Sequence, residues 1–172
     1  MMVAVAIFSI AAAAASTAYL FSMRSFQSLS NYSSLDNQNR QTMNRMTREL
    51  REAYSISQLT NTPSASWVTF IDGNSLKEVQ YLFKNDLHQL VRISNNVTTG
   101  ILLTHCDLVK FNMGTRAPST NNAFSYQPTS DPNHGKMIDM SWKSYRIIGK
   151  NITNSENIQT ARILMRKQGI SQ

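Results

Sequence analysis

The chain has 172 residues and a formal net charge of +7, from 17 Lys and Arg residues against 10 Asp and Glu residues. Only 16% of the residues are charged, below the roughly 25% typical of soluble domains, which favours secretion or a repeated assembly over a cytosolic protein. The basic residues beyond residue 55 are scattered singly, apart from Arg166 and Lys167. A nucleic-acid-binding protein normally clusters them on one face, so nucleic acid is a disfavoured partner.

Residues 1–23 contain no charged side chain. About 20 apolar residues in a helix span the roughly 30 Å hydrocarbon core of a bilayer, so this segment belongs in a membrane or in an equally dry protein interior. Three interpretations compete: a cleaved signal peptide, a plain membrane anchor, and a helix that stays in the membrane only until it packs against copies of itself. No Lys or Arg precedes the apolar run, which argues against a signal peptide.

Residues 24–57 lack Gly and Pro and continue the helix as an amphipathic segment. Apolar residues recur at intervals of three and four, while Asn39, Asn44 and Arg48 are among the polar positions. The side chains expected to pack this helix on a sheet are Phe26, Leu29, Met43, Met46, Leu50 and Tyr54. At about 1.5 Å per residue the helix is a rod of about 80 Å, far longer than an anchor requires, which favours the assembly interpretation. Pro63 and its neighbours predict a helix end near Ser57.

Residues 58–172 change to the alternating pattern of strands. The pattern predicts an antiparallel sheet of four to six strands, on which the helix packs to give an α+β fold. A turn is expected at Thr99-Gly100, and a long loop is expected at 114–135, where three of the four prolines lie. The expected strands are 67–71, 76–83, 87–93, 101–111, 137–143 with an extension to 148, and a C-terminal edge strand at 158–165, for which a helix is the alternative.

Residues that carry enzyme chemistry are sparse. The three histidines are far apart and lack the spacing of metal ligands, and no Gly-rich phosphate loop or Gly-x-Ser-x-Gly elbow occurs. Cys106 is the only cysteine and reads as a small buried hydrophobe. Asp131-Pro132-Asn133-His134 offers cation ligands but reads better as a solvated turn. We therefore expect no enzyme activity, no catalytic or metal site and no cofactor.

Met1-Met2-Val3-Ala4-Val5-Ala6-Ile7 resembles the stretch that follows the Phe-Thr-Leu-x-Glu start of mature pilins, where Leu/Met-Met-Val/Ile-x-Val-x-Ile is usual. The order of apolar half-helix, amphipathic half-helix and small sheet is also similar to the type IV pilin and type II secretion pseudopilin superfamily. The glutamate near the start of family members and their basic leader do not occur here. The resemblance thus leaves two explanations, a chain that starts about five residues inside the mature protein or a relative without that glutamate, and the first is favoured.

The resemblance implies a structural subunit of a type IV pilus-like extracellular filament, built by packing N-terminal helices of many copies. It implies the inner-membrane assembly machinery and the lipid bilayer as partners before assembly, and then a location at the cell surface or in a periplasmic pseudopilus. The alternatives are a minor, tip-type pseudopilin and a membrane-anchored domain that binds a ligand or DNA. The side chains expected in the filament core are Met1, Met2, Val3, Val5, Ile7, Phe8, Ile10, Tyr19, Leu20 and Phe21.

Overall fold

One helix, α1, covers Met2–Glu52 in the computed structural model, which describes residues 2–118, 124–148, 151–154 and 158–166. The chain divides into two compact units, Met1–Asp36 and Asn37–Gln172. The first unit is helical throughout its described residues, and the second contains the end of α1 together with all the described strands. The α+β fold class expected from the sequence is confirmed.

Ten strands follow α1 in the described residues. Their bounds are β1 Ser55–Asn61, β2 Ala65–Ile71, β3 Glu78–Lys84, β4 Gln89–Ser94, β5 Val97–Thr104, β6 Cys106–Pro118, β7 Phe124–Pro128, β8 Met137–Ile148, β9 Asn151–Asn154 and β10 Gln159–Leu164. The extension of the strand at 137 to residue 148 and the C-terminal strand are confirmed, and β10 lies at a sheet edge as expected.

The strands form two antiparallel sheets rather than the single sheet of four to six strands expected from the sequence. The first sheet is a meander in the order β1-β2-β3-β4-β5. The second sheet has the order β10-β8-β6-β7, and β9 also pairs with β8. Alternation of apolar and polar residues along a strand shows that one face of the strand is apolar, but it does not show which strands pair. The sequence pattern of two sheets that share one core is therefore the same as that of a single sheet.

The chain passes from the first sheet to the second at His105. The sequence predicted one strand over 101–111, whereas β5 ends at Thr104 and β6 begins at Cys106. His105 has a φ of 64°, in the left-handed region that side chains rarely adopt, and this turns the chain out of the first sheet. The carbonyl of His105 then accepts a hydrogen bond from the backbone N–H of Tyr145 in β8 (2.8 Å).

The turn expected at Thr99-Gly100 lies instead at Asn95-Asn96. These two residues have φ values of 50° and 62° and join Ser94 directly to its partner Val97. Two left-handed residues make the tight turn whose twist suits a two-residue hairpin, and asparagine tolerates that conformation better than most residues. Gly100 lies inside β5, where the register with β4 shifts.

Most of the described residues of the 114–135 segment, which was expected to be a loop, lie in strands or in a 3₁₀ turn. Strand β6 continues to Pro118, β7 pairs with it, and a short 3₁₀ turn covers Pro132–His134. Prolines are tolerated at edge strands and strand ends, so their presence does not exclude a hairpin here. Residues 119–123 lie outside the described part of the chain.

The helix ends at Glu52, five residues before the predicted end near Ser57, and β1 begins at Ser55. Tyr54 already donates its backbone N–H to the carbonyl of Ile71 (2.8 Å), which starts the pairing of β1 with β2. Ile56 is buried in the core, so strand pairing and burial override the helical continuation of the sequence pattern.

A single apolar core joins the end of α1 to both sheets. Its buried members include Met46, Leu50, Ala53, Phe70, Tyr81, Leu90, Leu103, Phe111, Met140, Trp142 and Ile163. Met43 packs on the margin of this core and is partly buried. The helix end, the first sheet and the second sheet therefore share one apolar core.

Asn61 at the end of β1 binds the backbone of β6. Its Nδ2 donates to the carbonyl of Phe111 (2.5 Å), and its Oδ1 accepts from the backbone N–H of the same residue (3.1 Å). Two residues further along β6, the carbonyl of Met113 accepts from the N–H of Thr129 (2.9 Å). The side-chain amide of Asn61 thus binds the backbone groups of Phe111 that a neighbouring strand would otherwise pair with. This position lies just before the pairing of β6 with β7 begins.

Candidate functional site

The apolar segment of α1 is exposed on all sides. Every residue from 2 to 30 is exposed, including Phe8 (75%), Ile10 (70%) and Phe21 (74%). Monomeric soluble proteins rarely expose continuous apolar surface of this extent. A helix that is apolar all round is stable in lipid or inside a bundle of similar helices.

Three hydroxyl groups in this segment form hydrogen bonds with the helix backbone itself. The hydroxyls of Ser9, Ser16 and Thr17 donate to the carbonyls of Ala6, Ala12 and Ala14 at 2.7–2.8 Å. These bonds within the helix satisfy hydroxyls that would otherwise lack a partner in a dry environment. The run Ala11–Ala15 between them has no bulky side chain, so another helix can approach it closely. By length and composition, α1 can cross a membrane.

The structure places nine of the ten residues expected in a filament core on this surface. The exposed residues are Met2, Val3, Val5, Ile7, Phe8, Ile10, Tyr19, Leu20 and Phe21. Met1 lies outside the described residues. The exposed positions occupy every side of the helix, so no side of it is already covered within the first unit.

The residues expected to pack α1 on a sheet separate into two groups. Met46 and Leu50 are fully buried in the core, and Met43 is partly buried against it. Phe26 and Leu29 are each 68% exposed, in contrast with that expectation, and they belong to the unit that ends at Asp36.

Tyr54 also differs from the packing expected of it, since its side chain is 41% exposed. Helical periodicity no longer applies at Tyr54, because α1 ends two residues earlier. Its neighbour Ala53 takes the buried position instead.

A buried polar cluster fixes α1 to the second sheet. The Oδ1 of Asn39 accepts from Trp142 Nε1 (3.3 Å) and from Ser144 Oγ (3.0 Å), while its Nδ2 donates to Ser144 Oγ (2.8 Å). All three residues are buried, so each hydrogen bond satisfies a group that water does not reach. The sequence interpretation missed this cluster because Asn39 counted with the polar positions. Its spacing of four from both Leu35 and Met43 places it on the apolar stripe, and that spacing was the available signal.

A second cluster fixes α1 to the first sheet through Glu49. Its carboxylate accepts from Tyr81 Oη (2.7 Å), Arg92 Nε (2.9 Å) and Arg45 Nε (3.0 Å). Burial raises the pKa of Tyr81 far above its usual value, and the nearby charge of Glu49 adds to this. Burial alone would raise the pKa of Glu49, but the three hydrogen bonds outweigh it and hold that pKa below 4.5. The carboxylate is therefore ionised in the folded protein at neutral pH.

We expect the Glu49 cluster to make folding acid-sensitive. A carboxylate with a lowered folded pKa stabilises the fold at any pH above its unfolded value of 4.5, and this contribution is lost as the pH falls through the folded value. Glu49→Gln should lower the free energy of unfolding at neutral pH by about 2–3 kcal/mol, since hydrogen bonds to a charged acceptor are lost.

Urea unfolding of the full chain in micelles, at neutral pH and at about pH 3, tests this expectation. Wild type should lose more stability in acid than Glu49→Gln does. Glu78→Gln, which changes an exposed carboxylate, serves as the matched control and should behave as wild type. An equal acid loss in wild type and Glu49→Gln would contradict the assignment.

Among the described residues, the remaining reactive side chains form no set of metal ligands, although two histidines meet at one tyrosine. Cys106 is fully buried, and burial raises the pKa of its thiol to about 12, so it stays protonated. His88 and His105 are exposed, and each ring makes an edge contact with the ring of Tyr145. Within the part of the chain that the structure describes, no three His, Cys, Asp or Glu side chains come together as metal ligands.

Asp131 caps the 3₁₀ turn in the segment considered for cation binding. Its carboxylate accepts from the N–H of Asn133 (2.9 Å) and contacts the Nδ1 of His134 (2.6 Å). Hydrogen bonding to His134, reinforced by the N–H of Asn133, lowers the pKa of Asp131. The carboxylate thus has a structural role as a helix cap.

Together these features define an α+β protein with one long helix, α1. The N-terminal part of α1 is apolar, exposed and long enough to cross a membrane, and its C-terminal end packs against two antiparallel sheets. No protein-family model, characterised protein or solved structure matches this chain.

Proposed function

We propose that this protein is a structural subunit of a type IV pilus-like filament, assembled by packing the apolar helices of many copies. It is held in the inner membrane before assembly and is carried to the cell surface or a periplasmic pseudopilus afterwards. The observation that carries the proposal is the helix surface of residues 2–23, which is apolar and exposed on every side.

The continuity of α1 favours assembly over simple anchoring. A tether can join its domain through any linker, whereas α1 runs without Gly or Pro into residues that are bonded to both sheets, Asn39 and Glu49. Head-to-tail contacts between identical subunits extend without closing when the rotation between neighbours does not complete a ring. A helix with an apolar surface on all sides can contact several neighbouring subunits at once, so the filament needs no further structural element to hold its subunits together.

Cross-linking between opposite sides of the helix tests the proposal. Ile10 and Tyr19 are nine residues apart and lie on opposite sides, since a helix has about 3.6 residues per turn. Cells making the Ile10→Cys, Tyr19→Cys double variant would be treated with a bis-maleimide, and sheared surface material examined by gel and negative-stain electron microscopy. The native thiol of Cys106 adds little background because it is buried and protonated.

We expect filaments, and a ladder of bands that extends beyond the dimer in the double variant. The single variant Ile10→Cys is the matched control and should stop at the dimer, because each chain then carries one reactive thiol in the helix. Monomers or dimers alone, with no filaments, would identify a plain anchor instead. Filaments built of another protein and containing only a few copies of this chain would identify a minor, tip-type subunit.

A further inference from the structure

A cleft of about 730 Å³ opens on the second unit. Its lining comes from β1, β6, β7, β8, β10 and the residues that follow β7. The volume lies within the range of about 300–1,000 Å³ typical of clefts that hold small organic ligands. The assembly proposed above gives this cleft no role.

The charged groups in the cleft neutralise one another. Arg162 donates from Nε to Asp139 Oδ1 (2.8 Å) and from Nη2 to Asp139 Oδ2 (3.1 Å), and these are the two charged residues of the lining. The pair is fixed by the register of the sheet, since the two residues are directly opposite on β10 and β8. A charged ligand would find no uncompensated partner here, while the pair still offers polar atoms to a neutral one.

The rest of the lining combines apolar side chains, among them Leu59, Phe111 and Met113, with uncharged polar groups and the ring of Tyr126. Asn112 lies directly opposite Asp139 on β6, and Thr60 lies on β1. Tyr126 on the edge strand β7 is 37% exposed. Among the residues that the structure describes, the side chains of Asn112, Thr60 and Tyr126 have no hydrogen-bond partner. The amide and the hydroxyls are therefore available to a ligand, beside the partly exposed side chain of Tyr126.

We propose that this cleft binds a neutral oligosaccharide. A sugar offers an array of hydroxyls that pair with amide, hydroxyl, carboxylate and guanidinium groups, and its C–H face packs on an aromatic ring. Nucleotides and acidic glycans need a free cation, which the Asp139 and Arg162 pair does not supply. An extended peptide would add to an open strand flank, but Asn61 and the N–H of Thr129 occupy the flank of β6 beside the cleft.

The full chain in micelles, applied to an array of immobilised neutral and acidic glycans, tests the proposal. The detergent must have a zwitterionic head group, because the head group of a maltoside is itself a neutral disaccharide. Titration calorimetry with soluble maltotriose, cellotriose and the trisaccharide of N-acetylglucosamine follows. A library of extended peptides on the same support tests the competing ligand class.

We expect retention of neutral glycans that is insensitive to salt. Tyr126→Ala should weaken binding by about tenfold through loss of ring contact, and Asn112→Ala by about fivefold through loss of hydrogen bonds. Tyr54→Ala is the matched control, since Tyr54 is similarly exposed and lies outside the cleft, and it should bind as wild type. The urea concentration at the midpoint of unfolding is first measured for each variant, and it must equal that of wild type so that a loss of binding is not a loss of folding.

Retention of acidic glycans or peptides alone, or of no array component, would overturn the proposal. Equal binding by Tyr126→Ala, Asn112→Ala and wild type would overturn it as well. The measurement uses dispersed chains, so its outcome is independent of whether the protein assembles into filaments.

Discussion

Replacing Trp142 by alanine should lower the free energy of unfolding by about 3–5 kcal/mol, the range observed when a large buried aromatic is removed from a core. Trp142 is fully buried in β8, and its Nε1 donates to Asn39. The substitution leaves a cavity between α1 and the second sheet and removes one donor from Asn39 Oδ1. Urea unfolding of the full chain in micelles, followed by the fluorescence of Trp67, measures the loss.

Two further variants separate the contributions at this position. Trp142→Phe retains most of the packing but no donor, and should cost about 1 kcal/mol for the hydrogen bond in addition to the lost volume, since Ser144 still serves Asn39. Trp67→Ala changes a half-buried tryptophan of the first sheet and should cost less than Trp142→Ala. If Trp67→Ala and Trp142→Ala lowered the free energy of unfolding equally, the contact of Trp142 with α1 would not have the importance expected here.

Removing residues 1–23 should convert a protein that requires detergent or lipid into a monomer soluble in buffer. The deletion removes the exposed apolar side chains up to Met23 and leaves the second unit, Asn37–Gln172, intact. Sedimentation without detergent separates the two forms, and near-ultraviolet circular dichroism reports on Trp67 and Trp142, both of which lie in the second unit. We expect the truncated chain to remain in the supernatant with the aromatic signal of the full chain.

A point substitution gives a graded form of the same experiment. Ile10→Asp places a carboxylate inside the apolar segment, where it opposes membrane insertion by about 2.5–3.5 kcal/mol. Ile101→Asp is the matched control, because Ile101 is an exposed isoleucine of β5, and it should leave membrane association unchanged. A truncated chain that still sediments or still forms filaments would refute the assignment of residues 1–23 as the assembly helix.

The sequence predicts the long helix well because helical periodicity is a local property. The same periodicity does not identify what covers each apolar residue. Leu29 and Leu50 occupy similar positions in the stripe, yet one is 68% exposed and the other is fully buried. Apolar residues at intervals of three and four show that one face of a helix is apolar. What covers that face depends on residues that are distant in the sequence.

The second sheet, the Glu49 cluster and the partners of Asn39 were not predictable for the same reason. Strands β6 and β8 pair with each other although β7 and a 3₁₀ turn lie between them in the sequence. No short window of sequence therefore contains both members of a pair. Glu49 meets Tyr81 and Arg92 only after four strands have been laid side by side. The cleft likewise depends on five strands, and its residues show no common spacing in the sequence.

The separation of Asn39 from Ser144 in the sequence predicts an order in which the two sheets form. The two residues are 105 positions apart, so at about 5–20 residues per second the helix waits roughly 5–20 s for its partner in β8. The first sheet is a meander of consecutive hairpins and can form during that interval, because each strand pairs with the one just made. Residues of this sheet share the core with Met46 and Leu50 of α1, so the helix end has a partner before the second sheet is complete. We therefore expect the first sheet to form before the second, and the contact of α1 with β8 to be among the last to form.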